Sequence, residues 1–570
     1  MKCAPIAANK SIARVQHIIF YVSLCLIPGI LNHYSALAGT DEAGAFLKNI
    51  KTPVPPYQHS AAAPQTLLIG VGDSLTQGTM NATVNSTNTL NAYLQKIAES
   101  LSRVTAVTFV QPLFDNNEKR QMPFSVPTNL GVDGADLFSV EGIEYYERAG
   151  ASRSFVNPDY LCTKLLPWSL QGSYDKVLYP INLLSHHSVS QIDAAIWLLN
   201  ESPAAADRDT AMILFWVGNN DTSTAALGYG GANPEFWPIP LDQIAPEIKP
   251  ELNTLLNIAQ DLGLVSFSPY AMENIKRNMT ELQDFTAQYY HLLSRLKSAA
   301  LSDTGQAELF LLTLPYYCST GYLFDSEDLE YYLRKISDDY TVPATFKRVA
   351  EPGQPITDPV KGDRVSLLTF GFMYMLLNSG YSVDYVNQVL EADGTQRDGL
   401  VLSVEEQRFI MDRIDSFNAV IKDAAAEYGP AAHLIDIGQY LNDALTGKTA
   451  ITINNRKITR KWVRGGGFSM DGVHPGYTGH ALIANYILEG MNEVADRAAP
   501  LYDLSAIMQH DPYSDRDGDG WAPGPAYEGT GFTEFLFMFK DPDDADPAAQ
   551  PSLPADVWQR ISDFFLQKIL

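Results

Sequence analysis

Cysteine is scarce in this 570-residue chain: there are four, and two of them, Cys3 and Cys25, lie in an N-terminal stretch with the marks of an export signal. Only Cys162 and Cys318 remain, to pair in one disulfide or to stand as two buried thiols. Basic charge is also short, with 40 Lys and Arg against 66 Asp and Glu. A surface of that sign repels phosphate backbones and anionic lipid heads, so nucleic acid is excluded as a partner. No His-Glu-x-x-His metal motif and no Gly-x-x-x-x-Gly-Lys-Ser/Thr phosphate loop occurs. Nothing in the chain indicates a protein partner.

Long apolar runs are missing too. The longest, "IIFYVSLCLIPGIL" from Ile18 to Leu31, is broken by Pro28 and Gly29 and falls short of a comfortable membrane span. Lys2, Lys10 and Arg14 precede it, and Ala36-x-Ala38 follows as a cleavage signature. Residues 1–38 therefore read as a signal peptide, giving a secreted or periplasmic protein with no stable transmembrane span in the mature chain. Residues 39–64 read as an extended lead-in.

What is present is a strand–helix alternation. Short apolar runs recur at 66–71, 107–111, 211–217, 308–314 and 432–438, each bounded by polar or turn residues. Helical periodicity fills residues 272–299, 403–429 and 479–495. The second of these opens on Ser403 and Glu406, spaced as a capping box, and ends at Gly429. The expected fold class is α/β, a three-layer α/β/α sandwich with a parallel central sheet. Segments at about 140–205, 222–270 and 320–400 are too long for ordinary connections and read as insertions over one rim. Two apolar stretches, 228–240 and 367–380, are expected to line an acyl pocket.

The first strand runs straight into Gly72-Asp73-Ser74-Leu75. "NLGVDGADL" follows at 129–137, "WVGNNDTS" at 216–223, and "MDGVHPG" at 470–476. These four blocks, in this order, resemble the GDSL or SGNH hydrolase superfamily. The resemblance spans about residues 65–495 and implies an SGNH, flavodoxin-like hydrolase domain at 65–498. It implies Ser74 as nucleophile, Asp471 and His474 as its acid and base, and an oxyanion hole made by Ser74, Gly134 and Asn220. Gly131 is the competing register for Gly134.

The residue chemistry agrees. A serine hydroxyl needs a base to take its proton, and histidine titrates in the right range. A carboxylate on the far imidazole nitrogen sets the tautomer. Asp471 and His474 stand three residues apart, so one curled loop delivers both. Pro475 is placed to open the helix that follows. Asp73 and Asp221 read as structural hydrogen-bonding groups. The usual nucleophile elbow needs Gly-x-Ser-x-Gly, and Thr76 stands where its last glycine belongs.

No cofactor is required for this chemistry. The substrate is then a small-molecule, lipid or acylated-carbohydrate ester, with a lipase-like or general esterase ahead of a carbohydrate acetylesterase or an acyltransferase. Residues 499–570 form an acidic extension. Within it, Asp515, Asp517 and Asp519 alternate before Gly520 like the start of a calcium loop, though Ala526 stands where a bidentate Glu belongs. Asp511 and Glu528 are further candidate oxygens, and calcium there would be structural. A reading of another class is a calcium-dependent surface-binding protein on an inactive hydrolase fold.

Overall fold

Five apolar runs become one five-stranded sheet in the computed structural model, which describes residues 65–145, 155–228, 270, 272–301, 306–349, 361–391, 400–495, 498–529 and 532–551. The signal peptide, the lead-in and most of the 222–270 insertion lie outside the described residues. So do parts of the 140–205 and 320–400 insertions and the end of the acidic extension.

The strands are β1 (Gln65–Gly72), β2 (Ala106–Thr108), β3 (Thr210–Trp216), β4 (Gln306–Leu312) and β5 (Ala432–Ile435). Their spatial order is β5-β4-β3-β1-β2, and every pairing is parallel. Consecutive residues of β1 (Leu67, Leu68, Ile69) and of β3 (Ala211 to Trp216) are buried, so both faces of the sheet are covered. That is why these strands read as unbroken apolar runs instead of alternating ones. The architecture is an α/β sandwich.

The sheet is accompanied by helices α1 (Ser74–Gln77), α2 (Tyr93–Leu101), α3 (Gln191–Asn200), α4 (Asn220–Leu227), α5 (Met272–Arg277), α6 (Leu282–Leu301), α7 (Ser326–Leu333), α8 (Leu367–Asn378), α9 (Val404–Tyr428), α10 (Ile437–Leu445) and α11 (Tyr477–Ala495), of which α5, α6, α9 and α11 fall in the segments of helical periodicity. Among them α3, α6 and α9 pack as one group, and α2 packs on α11. The α9 capping box forms, with Ser403 Oγ accepting from Glu406 N and the Glu406 carboxylate accepting from Ser403 N.

Three details depart from the sequence expectations. The single helix expected over 272–299 is two, because Thr280 turns aside to serve Asp221: its N–H donates to the Asp221 carbonyl and its hydroxyl to Asp221 Oδ1 at 2.6 Å. Pro475 does not open α11; it forms a bridge with Phe468, and the helix starts at Tyr477. The Asp511 carboxylate, from the acidic extension, accepts from the first-turn Thr478 N–H at 2.8 Å. Cys162 and Cys318 are free and buried.

The chain runs from β1 out to β2, returns past β1 to β3, and then continues to β4 and β5. Connections therefore leave β1 and β3 in opposite directions, opening a crevice at their carboxyl ends. Among the described residues no helix is long and apolar enough to cross a membrane.

Candidate active site

Ser74 is delivered by the end of β1. A Cβ on Gly72 would meet Trp216 O of β3 at 2.7 Å, so glycine is what lets the two strands close up here. Asp73 caps α1: its Oδ1 accepts from Leu75 N at 3.0 Å and its Oδ2 from Asn219 Nδ2 at 2.8 Å. Burial pushes the Asp73 carboxyl up to about 6, against the pull of those two hydrogen bonds. Ser74 opens the first turn, where no preceding carbonyl is placed to take its N–H.

Asn220 begins α4 just beyond β3. Its Oδ1 accepts from Ser223 Oγ at 2.9 Å and its Nδ2 donates to Ala135 O at 3.0 Å. These bonds fix the amide so that its oxygen is turned to Ser223, and Asn220 lines the cavity that Ser74 also lines. Asp221 is wholly buried and accepts from Leu137 N at 2.9 Å, which ties the 131–137 loop to α4. Asp221 thus bonds a loop N–H group as expected, whereas Asp73 bonds a first-turn N–H of α1 and a side-chain amide.

The two glycine registers differ in environment. Gly131 is buried, its N–H is held by Asn129 Oδ1 at 3.0 Å, and a Cβ there would meet Gln77 N at 2.5 Å. Gly134 has φ +76 and open space around it, and lines the cavity beside Ser74. Glycine is required at 134 by its backbone angle and at 131 by close packing.

The Asp471–His474 loop forms a tight pair. His474 Nδ1 lies 2.7 Å from Asp471 Oδ2, and the N–H groups of Val473 and His474 both donate to Asp471 Oδ1 at 2.8 Å. A fourth donor comes from far away in sequence: Ala82 N reaches Asp471 Oδ2 at 2.7 Å. These donors and the imidazole hold the Asp471 carboxyl below its usual range although burial pushes the other way. Burial likewise works to lower His474, but Asp471, with Asp133 and Asp73 beyond it, raises it to about 9.

Sequence reasoning missed Asn81 and Ala82. Both non-glycine residues have positive φ, +54 and +50. Asn81 N donates to Ser469 Oγ, its Oδ1 accepts from Met470 N at 2.8 Å, and its carbonyl accepts from Thr533 Oγ1 at 2.7 Å. Its Nδ2 reaches Tyr513 Oη at 3.2 Å. This strained pair, held by the acidic extension, aims the Ala82 N–H at Asp471. No local residue pattern marks it.

Ser74, Gly134, Asn220, Asp471 and His474 all line one cavity of about 390 Å³ at the crevice between β1 and β3. Its remaining wall is largely apolar, with Leu441, Leu445, Ile458, Phe468, Leu482 and Ile483 prominent. The expected source of that wall is corrected. The 367–380 stretch forms α8, whose residues Leu367 to Leu377 are buried in the core and do not line the cavity. Residues 229–240 lie outside the described residues. Among the described residues the 140–205 insertion contributes nothing to the lining, the 320–400 insertion only Thr320, and the 222–270 insertion Ser223, Thr224 and Leu227.

The acidic extension brings together two groups of three carboxylates able to hold a divalent ion: Asp515, Asp517 and Asp544, and Asp517, Asp519 and Asp541. Asp541 and Asp544 come from the run "DPDDAD", which the loop spacing did not include. Neither Asp511 nor Glu528 belongs to either group; Asp511 instead holds Thr478 and Tyr513 N.

No family model, no curated protein and no solved structure matches this chain.

Proposed function

We propose that this chain is a serine-dependent carboxylic ester hydrolase of the GDSL/SGNH type, acting through an acyl-enzyme. The observation that carries the proposal is the Asp471 Oδ2–His474 Nδ1 contact of 2.7 Å at the wall of the cavity that also receives Ser74, Gly134 and Asn220. A carboxylate can only accept, so Nδ1 carries the proton and Nε2 is left as the base. The strand order 2-1-3-4-5, with the cavity at the point where it reverses, supports a flavodoxin-like reading.

In this reading His474 takes the Ser74 proton as the hydroxyl attacks the ester carbonyl. The N–H groups of Ser74 and Gly134 and the Asn220 amide receive the oxyanion. The protonated imidazole then gives its proton to the leaving alcohol. Water enters by the same relay and releases the acid. Asp73 stays structural, and no metal takes part in the relay.

The apolar wall favours a lipase-like or general esterase over a carbohydrate acetylesterase, because it offers an acyl group surface to bury against. The N-terminal pattern supports export of the mature enzyme, secreted or periplasmic. A panel of acetyl, butyryl and octanoyl esters beside acetylated polysaccharide, run with Ser74→Ala as control, tests the assignment. Preference for the longer acyl esters, lost in Ser74→Ala, supports it. Activity that survives in Ser74→Ala overturns it.

A further inference from the structure

Asp517, Asp519 and Asp541 each carry a buried Oδ2 with no hydrogen-bond partner. Asp519 and Asp541 are only 5% and 6% exposed. The three residues offer oxygens that all lie within 4.8 Å of one another. Two oxygens bound to one calcium at about 2.3–2.6 Å can be at most about 5 Å apart, so the spacing suits that ion. Unpartnered buried carboxylate oxygens are costly and call for a compensating charge.

The neighbouring group is already served. Asp544 takes Arg516 N and, at 2.6 Å, Arg516 Nη1, while Asp515 accepts from Gly518 N and Gly520 N. These bonds shape the loop and leave the deficit on Asp517, Asp519 and Asp541. Lys335 Nζ reaches that loop, and the bond it donates goes to the Asp519 carbonyl.

We propose that Asp517, Asp519 and Asp541 bind one divalent cation of the calcium class, which joins the 515–521 loop to the 541–544 loop and thereby holds the Asp471–His474 loop in place. The route is short. Asp541 N donates to Ala522 O at 2.9 Å, beside the wholly buried Trp521. Trp521 packs edge-on against Trp462 with ring centroids 6.0 Å apart. Trp462 Nε1 donates to Met470 O at 2.7 Å, one residue before Asp471. Tyr332 Oη lies 2.9 Å from both the Gly520 and the Trp462 carbonyls and braces the same path. Cation binding stands on its own; its effect on catalysis rests on reading Asp471–His474 as the catalytic pair.

The test uses the mature chain stripped with EGTA. Calcium titration by calorimetry is followed by melting temperature and by hydrogen exchange over residues 469–475, in wild type, Asp541→Asn and Asp519→Asn. The expected result is one site, a rise of several degrees in Tm at millimolar calcium, slower exchange at 469–475, and at least tenfold weaker binding in both variants. No binding by wild-type protein, or undiminished affinity in both variants, overturns the site. Binding with unchanged exchange at 469–475 overturns the link to the loop. None of these readouts needs substrate: calcium-dependent protection in a protein that hydrolyses no ester supports this inference and refutes the esterase.

Discussion

Ala82 and His474 donate to the same oxygen of Asp471, each at 2.7 Å, the one through its backbone N–H and the other through Nδ1. Residue 82 follows Ser74 closely in sequence, so the arm that leaves the nucleophile also returns to orient the acid of the proposed relay. The geometry depends on Asn81, whose positive φ and side-chain bonds turn Ala82 inward.

Asn81→Ala should therefore act through position. It removes the acceptor for Met470 N and the donor to Tyr513 while changing the identity of no cavity-lining residue. Loss of a buried hydrogen bond of this kind costs about 1–3 kcal/mol. The expected outcome is a lower Tm and a lower kcat with KM nearly unchanged. Equal kcat in the variant would contradict the positioning role.

Asn220→Ala tests the proposed oxyanion donor. One such donor is worth about 3 kcal/mol of transition-state stabilisation, or roughly a hundredfold to a thousandfold in kcat. Asn220 is partly exposed, and its amide bonds Ser223 within α4 and Ala135 O on the 131–137 loop, so the fall in kcat should exceed the loss of stability from those two bonds. A kcat within a few-fold of wild type would place the oxyanion elsewhere.

The pH profile follows from His474. The proposed base works only as neutral imidazole, and its pKa is raised from the ordinary 6.5 to about 9 against the lowering effect of burial. Activity should therefore rise with pH through the alkaline range instead of levelling off near neutrality. Asp133 contributes to the upward shift, so Asp133→Asn should move the limb of kcat/KM to lower pH. A limb near 6.5 in wild type, or one unmoved in the variant, would contradict this electrostatic account.

The cavity wall makes a prediction about acyl length. Leu445 lines it and is mostly buried. Leu445→Phe adds bulk to the apolar wall, so kcat/KM for an octanoyl ester should fall several-fold more than for an acetyl ester. Equal losses on both would move the acyl group out of this part of the cavity.

How far the sequence carries the account depends on the distance between the residues involved. The central strands β1 and β3 were legible because burial on both faces leaves continuous apolar runs, the half-buried edge strands β2 and β5 because short apolar runs stand between turn residues, and Ser74 and Asn220 because each stands just after a central run. The Asp471–His474 pair was legible because three residues of separation is a local relation. The 367–380 stretch was misplaced because apolarity marks burial without saying whether a core or a pocket does the burying. The break at Thr280 arises from a contact with Asp221 that no helical periodicity encodes. Asp541 joins Asp517 and Asp519 by folding, and the left-handed turn at Asn81–Ala82 uses residues with no glycine to announce it.

The most direct measurement is covalent labelling with a fluorophosphonate ester, which reacts with a serine only when a neighbouring base and an oxyanion hole activate it. Intact mass and peptide mapping should show one adduct per chain, on Ser74, absent in Ser74→Ala and strongly slowed in His474→Ala. A folded protein that takes up no label, or takes it at another residue, would contradict the assignment of Ser74 as an activated nucleophile.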